Sequence, residues 1–375
     1  MALNKIALKL SESEKQIVNE ILCANPYNLE FITTKFEQLS ESLSLESVLK
    51  ILFKQQVDCG FVLSQPDSDE LIESEHIIDA HTGIKFIVQW NPNRELRLNH
   101  ELLIERGVIN TNIDSSLLVN KNKQGKACYL CSDNIKIQNP LEILFPIKLS
   151  GEKYFCGANF SPITNNHFTI MSEEHKSQQF GSQVILAMMD FVKKSNGKFR
   201  TIFNGKAGAS ILEHLHIQAT TQKLPIEDIK ISKNNLITTT YNTNIYEPEY
   251  YLPLIILESD NAQSISLISD KLINQWEAHD SEHHTVNILV HKKNEKYRIC
   301  IYLRDTRKLI GTGKIGDMGT FECCGLVVLS AGGNDPNKGS VGERSLFEDV
   351  NINKIKKLLQ EIAPSDIFDL TNLIS

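Results

Sequence analysis

The sequence predicts an α+β protein made of two successive α+β series behind an N-terminal helical extension. Three observations carry this reading. Residues 1–57 place Leu, Ile and Phe at mixed three- and four-residue spacing, the period of helices buried along one face. From about residue 60 the apolar residues gather in short runs, FVLS and IKFIVQW, as strands do. The amphipathic stretch 176–195 lies between the strand candidates FTIMS and FRTIFN, and a similar order of strand, helix and strand follows residue 250.

Taken in order, the extension (1–59) has apolar faces at Ile17, Ile21 and Leu22 and at Leu45, Val48, Leu49 and Leu52, with Ser11 and Ser44 as N-caps. The first series (60–235) opens on IKFIVQW and the loop NPNRELRLN, where Asn91-Pro92 signals a turn. It closes on ILEHLHIQAT, read as a strand. Residues 221–250 are polar and rich in Asn and Thr, which suggests a linker or long loop. The second series (236–375) brings the strand YLPLIILES, a helix near 263–277 and a hairpin turning at about Lys293-Asn294-Glu295. The strand CGLVVLS, the loop SAGGNDPNKGS and a final helix with KIKKLLQEI complete it.

Composition narrows the function classes. Hydrophobic residues at 41% and charged residues at 23% of 375 describe a folded protein. Lys+Arg 39 against Asp+Glu 46 leaves a net charge of −7, which opposes attraction to a polyanion and argues against nucleic acid as a partner. Eight cysteines in so long a chain are too sparse for a disulfide scaffold. The first residues lack a secretory pattern, and no apolar run approaches the roughly 18 residues of a membrane span. The cytoplasm is the expected location, without membrane association.

The most informative stretch is Asn204-Gly205-Lys206-Ala207-Gly208-Ala209-Ser210, followed by His214-Leu215-His216-Ile217-Gln218-Ala219. In a strand, His214, His216 and Gln218 share one face at about 7 Å per step while Leu215, Ile217 and Ala219 face a core. The glycine-rich turn before them, with Asn204, Lys206, Gly208 and Ser210, offers backbone amides to a phosphate. A neutral imidazole attacks phosphorus near pH 7, given an oriented ring and donors for the phosphoryl oxygens. Cys128-Tyr129-Leu130-Cys131 has the spacing of a zinc knuckle, and by itself is equally the spacing of a redox pair or two buried thiols.

Asn-Gly-x-x-Gly-x-Ser followed by His-x-His-x-Gln resembles the active-site segment of the histidine triad superfamily. The resemblance is to the branch of galactose-1-phosphate uridylyltransferases, diadenosine tetraphosphate phosphorylases and nucleoside diphosphate sugar (GDP-galactose-type) phosphorylases. It implies tandem histidine-triad-like halves with mostly antiparallel sheets and packed helices, the second half degenerate. It implies His216 as nucleophile and Gln218, where hydrolase relatives have a third histidine, as a ligand of the phosphoryl oxygens. Asn204 and Ser210 match phosphate-contacting positions, although the interval from Ser210 to His214 is one residue longer than in the uridylyltransferase pattern. Arg94 and Arg97 fall near the family's Asn-Pro segment and are candidates for a substrate phosphate.

The same resemblance joins Cys128 and Cys131 to His175 and His214 as a closed structural zinc site, with no organic cofactor. His167 matches a further family histidine, expected to be buried and hydrogen-bonded. Gly316-Asp317-Met318-Gly319 matches a segment that is either substrate-contacting or a turn. The implied function is a nucleotidyltransferase or phosphorylase using a nucleoside diphosphate sugar or dinucleoside polyphosphate, with phosphate or a sugar 1-phosphate as acceptor. A nucleotide hydrolase and a non-catalytic, zinc-stabilised nucleotide-binding module are the alternatives, and the resemblance allows a homodimer. Gly311-Thr312-Gly313-Lys314-Ile315-Gly316 fits G-x-G-x-x-G but leads into a strand, so a dinucleotide fold is not expected.

Overall fold

A computed structural model describes residues 8–63, 70–94, 100–314, 316–330 and 340–365. Arg97 and most of the loop at 330–340 lie outside the described residues. The extension forms α1 (Glu12–Cys23), α2 (Leu29–Ser40) and α3 (Leu45–Asp58). Ser11 makes a reciprocal capping box with Glu14, Asn28 caps α2, and Ser44 accepts from the Ser47 amide, each satisfying an orphan N–H of a first turn. Their apolar faces, with Val18, Phe36, Leu39, Leu49 and Leu52 buried, join one core with the main sheet. The buried Gln56 side chain donates to Leu141 O (2.9 Å) and accepts from Ile143 N (3.1 Å), tying α3 to the chain entering that sheet.

Strands β1 (Glu73–Ile78) and β2 (Lys85–Trp90) follow, then helices α4 (His100–Glu105) and α5 (Ser132–Gln138). The first half of the main sheet is β3 (Phe145–Leu149), β4 (Glu152–Ala158), β5 (Phe168–Ser172), helix α6 (Ser182–Lys194), β6 (Arg200–Asn204) and β7 (His216–Thr220). The second half is β8 (Leu236–Thr240), β9 (Thr243–Tyr246), β10 (Leu254–Ser259), helix α7 (Ala262–His279), β11 (His284–Lys293) and β12 (Lys296–Asp305). Helix α8 (Thr320–Cys323), β13 (Leu326–Leu329), α9 (Ser340–Glu348) and α10 (Ile352–Glu361) complete the described elements.

The ten main strands run in the order β3-β4-β5-β7-β6-β11-β12-β10-β9-β8, antiparallel throughout. Along the chain both halves have the same order, hairpin, third strand, helix and two central strands, and outward from the β6–β11 seam their strands are placed alike. The repeat is therefore one of topology. A second sheet, β1-β2-β13, takes its strands from opposite ends of the chain. Strand alternation sends Ile217 and Ala219 to the face covered by the α-helices, where they join the first core. A second core, with Ile202, Leu289, Tyr302, Phe86 and Leu358, fills the space between the main sheet and the small one. Among the described residues no helix is long and apolar enough to cross a membrane.

Three local expectations are corrected. Residues 221–250 are not a plain linker: they contain the β8–β9 hairpin, turned at Tyr241-Asn242 with both residues at positive φ, the backbone of a tight hairpin turn. The helix expected over 176–195 begins only at Ser182, because Lys176 O and Gln178 N are bonded to the 212–215 segment instead. The G-x-G-x-x-G segment is followed by the four-residue α8 before β13, still without a helix long enough for a dinucleotide site.

The seam dictates Gly205. A Cβ there would stand 2.2 Å from Thr285 Oγ1 and 2.6 Å from Val286 O, while its own N–H bonds Val286 O at 2.9 Å. Gly205→Ala is expected to lower unfolding free energy by about 1–3 kcal/mol through forced backbone movement. Urea titration checks this, and unchanged stability would mean the two halves are not tightly closed there.

Candidate functional site

The His-x-His-x-Gln segment is not one continuous strand. His214 lies in a bend before β7, and the ladder starts at His216. That bend separates two roles. The buried His214 ring points to the cysteine knuckle, with Nδ1 3.3 Å from Cys128 Sγ, 3.5 Å from Cys131 Sγ and 3.4 Å from His175 Nδ1. Cys131 Sγ also lies 3.3 Å from His175 Nδ1. These four residues could hold a metal ion, their donor atoms all lying within 4.8 Å of one another. His214 Nε2 donates to Ser172 O at 2.8 Å, which leaves Nδ1 as the unprotonated nitrogen facing the cluster. Asn134 fixes the knuckle by donating to Cys128 O (2.7 Å) and Val119 O (2.9 Å). Asn120 Nδ2 lies 3.1 Å from Cys131 Sγ.

His216 is held by its backbone and its ring at once. Its N–H donates to Gln178 Oε1 (2.8 Å), and its carbonyl accepts from Gln178 Nε2 (2.9 Å). The same amide nitrogen reaches Asn204 O (2.8 Å), so Gln178 joins β7 to the end of β6. The ring Nδ1–H donates to His214 O at 2.9 Å, and Nε2 is then the basic nitrogen. Burial lowers the His216 pKa from its ordinary value, keeping the imidazole neutral near pH 7.

Gln218 follows two residues on, and its orientation is set by His167. Ile163 N–H donates to His167 Nδ1 (3.2 Å), so Nε2 carries the proton and donates to Gln218 Oε1 (3.2 Å). The amide NH₂ of Gln218 is the end left for a ligand. Burial and the Arg94 charge push His167 down to about 3, so this relay keeps its polarity over the whole physiological range.

Two adjoining compartments meet at Arg94, Ile163, Ser210 and Gln218, which line both. His216 and His167 face the one walled by Tyr129, Phe160 and Ile211. The other is polar and contains Asn204, Gly208, Asp317 and Gly319 together with Lys314, Glu322 and Glu343. Asn204 Oδ1 is occupied by Thr320 N (2.8 Å) and Thr320 Oγ1 (2.6 Å), which orients its NH₂. Gly208, at φ +99°, packs where a Cβ would lie 2.6 Å from Gly319 Cα. The Arg94 guanidinium donates to Ser161 O between the compartments.

Nearly all the sequence-derived candidates thus converge, and Lys206 is the exception. Its ammonium donates to Ser281 O (3.0 Å) and Glu282 O (3.3 Å), and it lines neither compartment, so it is a strut between the halves. The Gly316–Gly319 segment, in contrast, is a wall of the polar compartment. Sequence reasoning missed Gln178 and Thr320, whose partners lie 26 to 117 residues away, and the trio of half-buried Lys314 with the buried Glu322 and Glu343. Only the proximity of Lys314 and Glu322 to the Gly316–Gly319 segment offered a signal.

Residues 75–221 match the family model described as a domain of unknown function, DUF4922. The chain is 25% identical over 201 residues to a galactose-1-phosphate uridylyltransferase of Streptococcus pneumoniae, a match covering 48% of this chain and 40% of that one. It is 22% identical over 183 residues to the enzyme of that name from Caldanaerobacter subterraneus, covering 45% and 34%. The match therefore spans less than half the length of these relatives. The fold resembles that of yeast Ap4A phosphorylase in complex with Ap4A, with a TM-score of 0.53 at 15% identity over 84% of this chain and 95% of the other.

The buried neutral histidines predict an acid-sensitive stability. A histidine whose folded pKa is depressed binds its proton more readily when unfolded, so stability falls as pH drops below about 6.5. For His167 the fall continues towards its folded value of about 3. In urea titrations at pH 6.5 and 5, His167→Phe should show a shallower loss than the native chain, by up to about 1.4 kcal/mol per pH unit. Identical slopes would mean His167 is not buried in its neutral form.

Proposed function

We propose that the chain belongs to the galactose-1-phosphate uridylyltransferase and Ap4A phosphorylase branch of the histidine triad superfamily, and that it is a nucleotidyltransferase or phosphorylase working through a nucleotidylated His216. Its substrate class is a nucleoside diphosphate sugar or a dinucleoside polyphosphate. His216 Nε2 attacks the α-phosphorus, the bond from phosphorus to the bridging oxygen breaks, and the phosphorylated remainder leaves with that electron pair. An oxygen of inorganic phosphate or of a sugar 1-phosphate then attacks the same phosphorus, and the phosphorus–nitrogen bond breaks. The observation that carries this reading is the buried ring of His216, donating through Nδ1 to His214 O at 2.9 Å and lining a cavity beside Gln218.

Each neighbour has a part in the scheme. His214 O stabilises the positive charge that the ring gains when Nε2 bonds phosphorus. The Gln218 amide, aimed by His167, donates to a non-bridging oxygen, and the Asn204 NH₂, Ser210 and the Gly208 loop supply further donors where charge develops. Arg94, at the junction of the compartments, balances the charge of the phosphates. The polar compartment, which the second half closes, receives the leaving group and then the acceptor.

The Cys128, Cys131, His175 and His214 cluster is proposed to bind zinc. Typical zinc–sulfur and zinc–nitrogen bonds give a tetrahedron with sulfur–nitrogen edges of about 3.5 Å and nitrogen–nitrogen edges of about 3.4 Å. The corresponding separations of 3.3–3.5 Å and 3.4 Å match it. With all four positions filled by protein, the ion would be structural. The eight cysteines form no disulfide with one another, which supports residence in a reducing compartment such as the cytoplasm. The halves 60–235 and 236–375 are proposed to be a duplicated unit, on the strength of their shared strand order.

Intact mass after mixing with GDP-, UDP- and ADP-sugars and Ap4A tests the function. A covalent nucleotide adduct is expected in the native chain and none in His216→Ala, whose turnover should fall by about 10⁴-fold or more. Near-normal turnover in His216→Ala would overturn the mechanism. Elemental analysis should find about one zinc per chain, and Cys128→Ser should lower both zinc content and melting temperature. Metal-free protein prepared without chelators would remove the zinc and leave the transfer reaction standing.

A further inference from the structure

Among the described residues the compartment facing His216 contains one acid, and the proposed mechanism gives it no work. Glu142 sits among Tyr129, Leu130, Ile135, Phe160 and Met171, and among the described residues it is the only carboxylate lining that cavity. It is 8% exposed. Asn139 Nδ2 donates to Glu142 Oε2 at 2.8 Å. Glu142 Oε1 lies over Gly157, where a Cβ would approach it to 2.8 Å, so β4 keeps that position clear. Its backbone is bracketed by Gln56, which bonds Leu141 O and Ile143 N on either side. Beside it, the buried Asn139 Oδ1 has no hydrogen-bond partner. Burial pushes the Glu142 carboxyl up to about 7, so it ionises most readily when a ligand brings donors.

The arrangement is an apolar, aromatic slot that ends in the Glu142 carboxylate, whose Oε2 keeps one donor, Asn139 Nδ2. Phosphate is not the group that belongs there, since a carboxylate repels it. A planar heterocycle fits between the apolar walls, and acceptors at its edge select a base edge made of donors. Guanine presents two adjacent donors, N1–H and the 2-amino group, which match the two oxygens of one carboxylate as a bidentate pair. Adenine offers one donor beside an acceptor, and uracil one N–H between two carbonyls, which the carboxylate would repel.

We propose that Glu142 reads the base of the bound nucleotide and selects guanine through its N1–H and 2-amino edge. This rests on the nucleotidyl-transfer reading for the ligand's being a nucleotide whose α-phosphate lies at His216. The knuckle that carries Cys128 and Cys131 also carries Tyr129 and Leu130 into the slot, so the metal cluster and the base wall are parts of one loop. Tyr129 Oη accepts from Asn139 Nδ2 at 3.2 Å, which joins that loop to the acceptor group.

Calorimetric titration of the full chain at pH 8 with GMP, IMP, AMP and UMP tests the assignment. IMP keeps N1–H and lacks the 2-amino group, so it isolates half of the bidentate pair. GMP should bind about 10-fold more tightly than IMP and about 10- to 100-fold more tightly than AMP or UMP, the range of hydrogen bonds to a charged group. Glu142→Gln should bring GMP and IMP together and leave AMP within a few-fold of the native value. AMP or UMP binding as tightly as GMP to the native chain would overturn the assignment, even if Glu142→Gln failed to fold. A uniform weakening of all four nucleotides by Glu142→Gln would overturn it too. An adduct by intact mass with ADP or UDP compounds in preference to GDP compounds sinks the base assignment and leaves transfer intact. Tight GMP binding with no adduct from any compound does the reverse, and no nucleotide binding at all overturns both.

Discussion

One residue, His214, couples the metal-type cluster to the proposed nucleophile. Its side chain enters the Cys128–Cys131–His175 group through Nδ1 while its carbonyl accepts the Nδ1–H of His216 at 2.9 Å. Any movement of the cluster moves that carbonyl, and with it the tautomer and direction of the His216 ring. A flexible loop could not hold a neutral imidazole so oriented, because the ring would rotate and find water. The bend at 211–214 lets successive histidines face different neighbours. Ser172 anchors both ends of the arrangement, since its carbonyl holds His214 Nε2 and its N–H bonds Leu215 O.

Around this coupling the two halves have unequal duties. The first supplies the histidines, the knuckle and the apolar slot. The second contributes the wall that closes the polar compartment, and buried polar groups hold that wall in place. Arg304, fully buried, donates to Met318 O at 2.8 Å and lies 3.2 Å from Cys323 Sγ, fixing both ends of the segment that includes Thr320. Thr320 in turn occupies Asn204 Oδ1. A line of hydrogen bonds therefore runs from β12 in the second half to the end of β6 in the first, crossing the seam where Gly205 admits no side chain.

What could be read from the sequence was local or was carried by a motif. The caps Ser11 and Ser44 follow from side-chain chemistry one turn away, and the β11–β12 hairpin turn follows from Asn294-Glu295, both at positive φ. Cys128, Cys131, His175 and His214 are dispersed over 87 positions, and only resemblance brought them together before the structure did. Gln178, Glu142 and Thr320 escaped because their meaning depends on what lies opposite them. Gln178 reads in sequence as one more polar residue ahead of a helix, and its partners His216 and Asn204 are set by sheet pairing. The 221–250 segment reads as a linker for a related reason: Thr-rich strands on a sheet edge need little apolar content, so β8, with its intermediate or exposed residues, looks like a loop. Lys206 reads as a ligand contact from its place in a glycine-rich turn, whereas its ammonium is taken by the Ser281 and Glu282 carbonyls of the second half.

The central claim is that the nucleotide rests on His216 between donor and acceptor, and the stereochemical course at the α-phosphorus tests it most directly. A nucleoside diphosphate sugar with one sulfur at the α-phosphorus makes that centre chiral, and each in-line displacement inverts it. Two successive displacements through His216 predict net retention when the product is analysed by phosphorus NMR. Net inversion would mean that the acceptor attacks the substrate directly, contradicting a nucleotidyl-histidine intermediate.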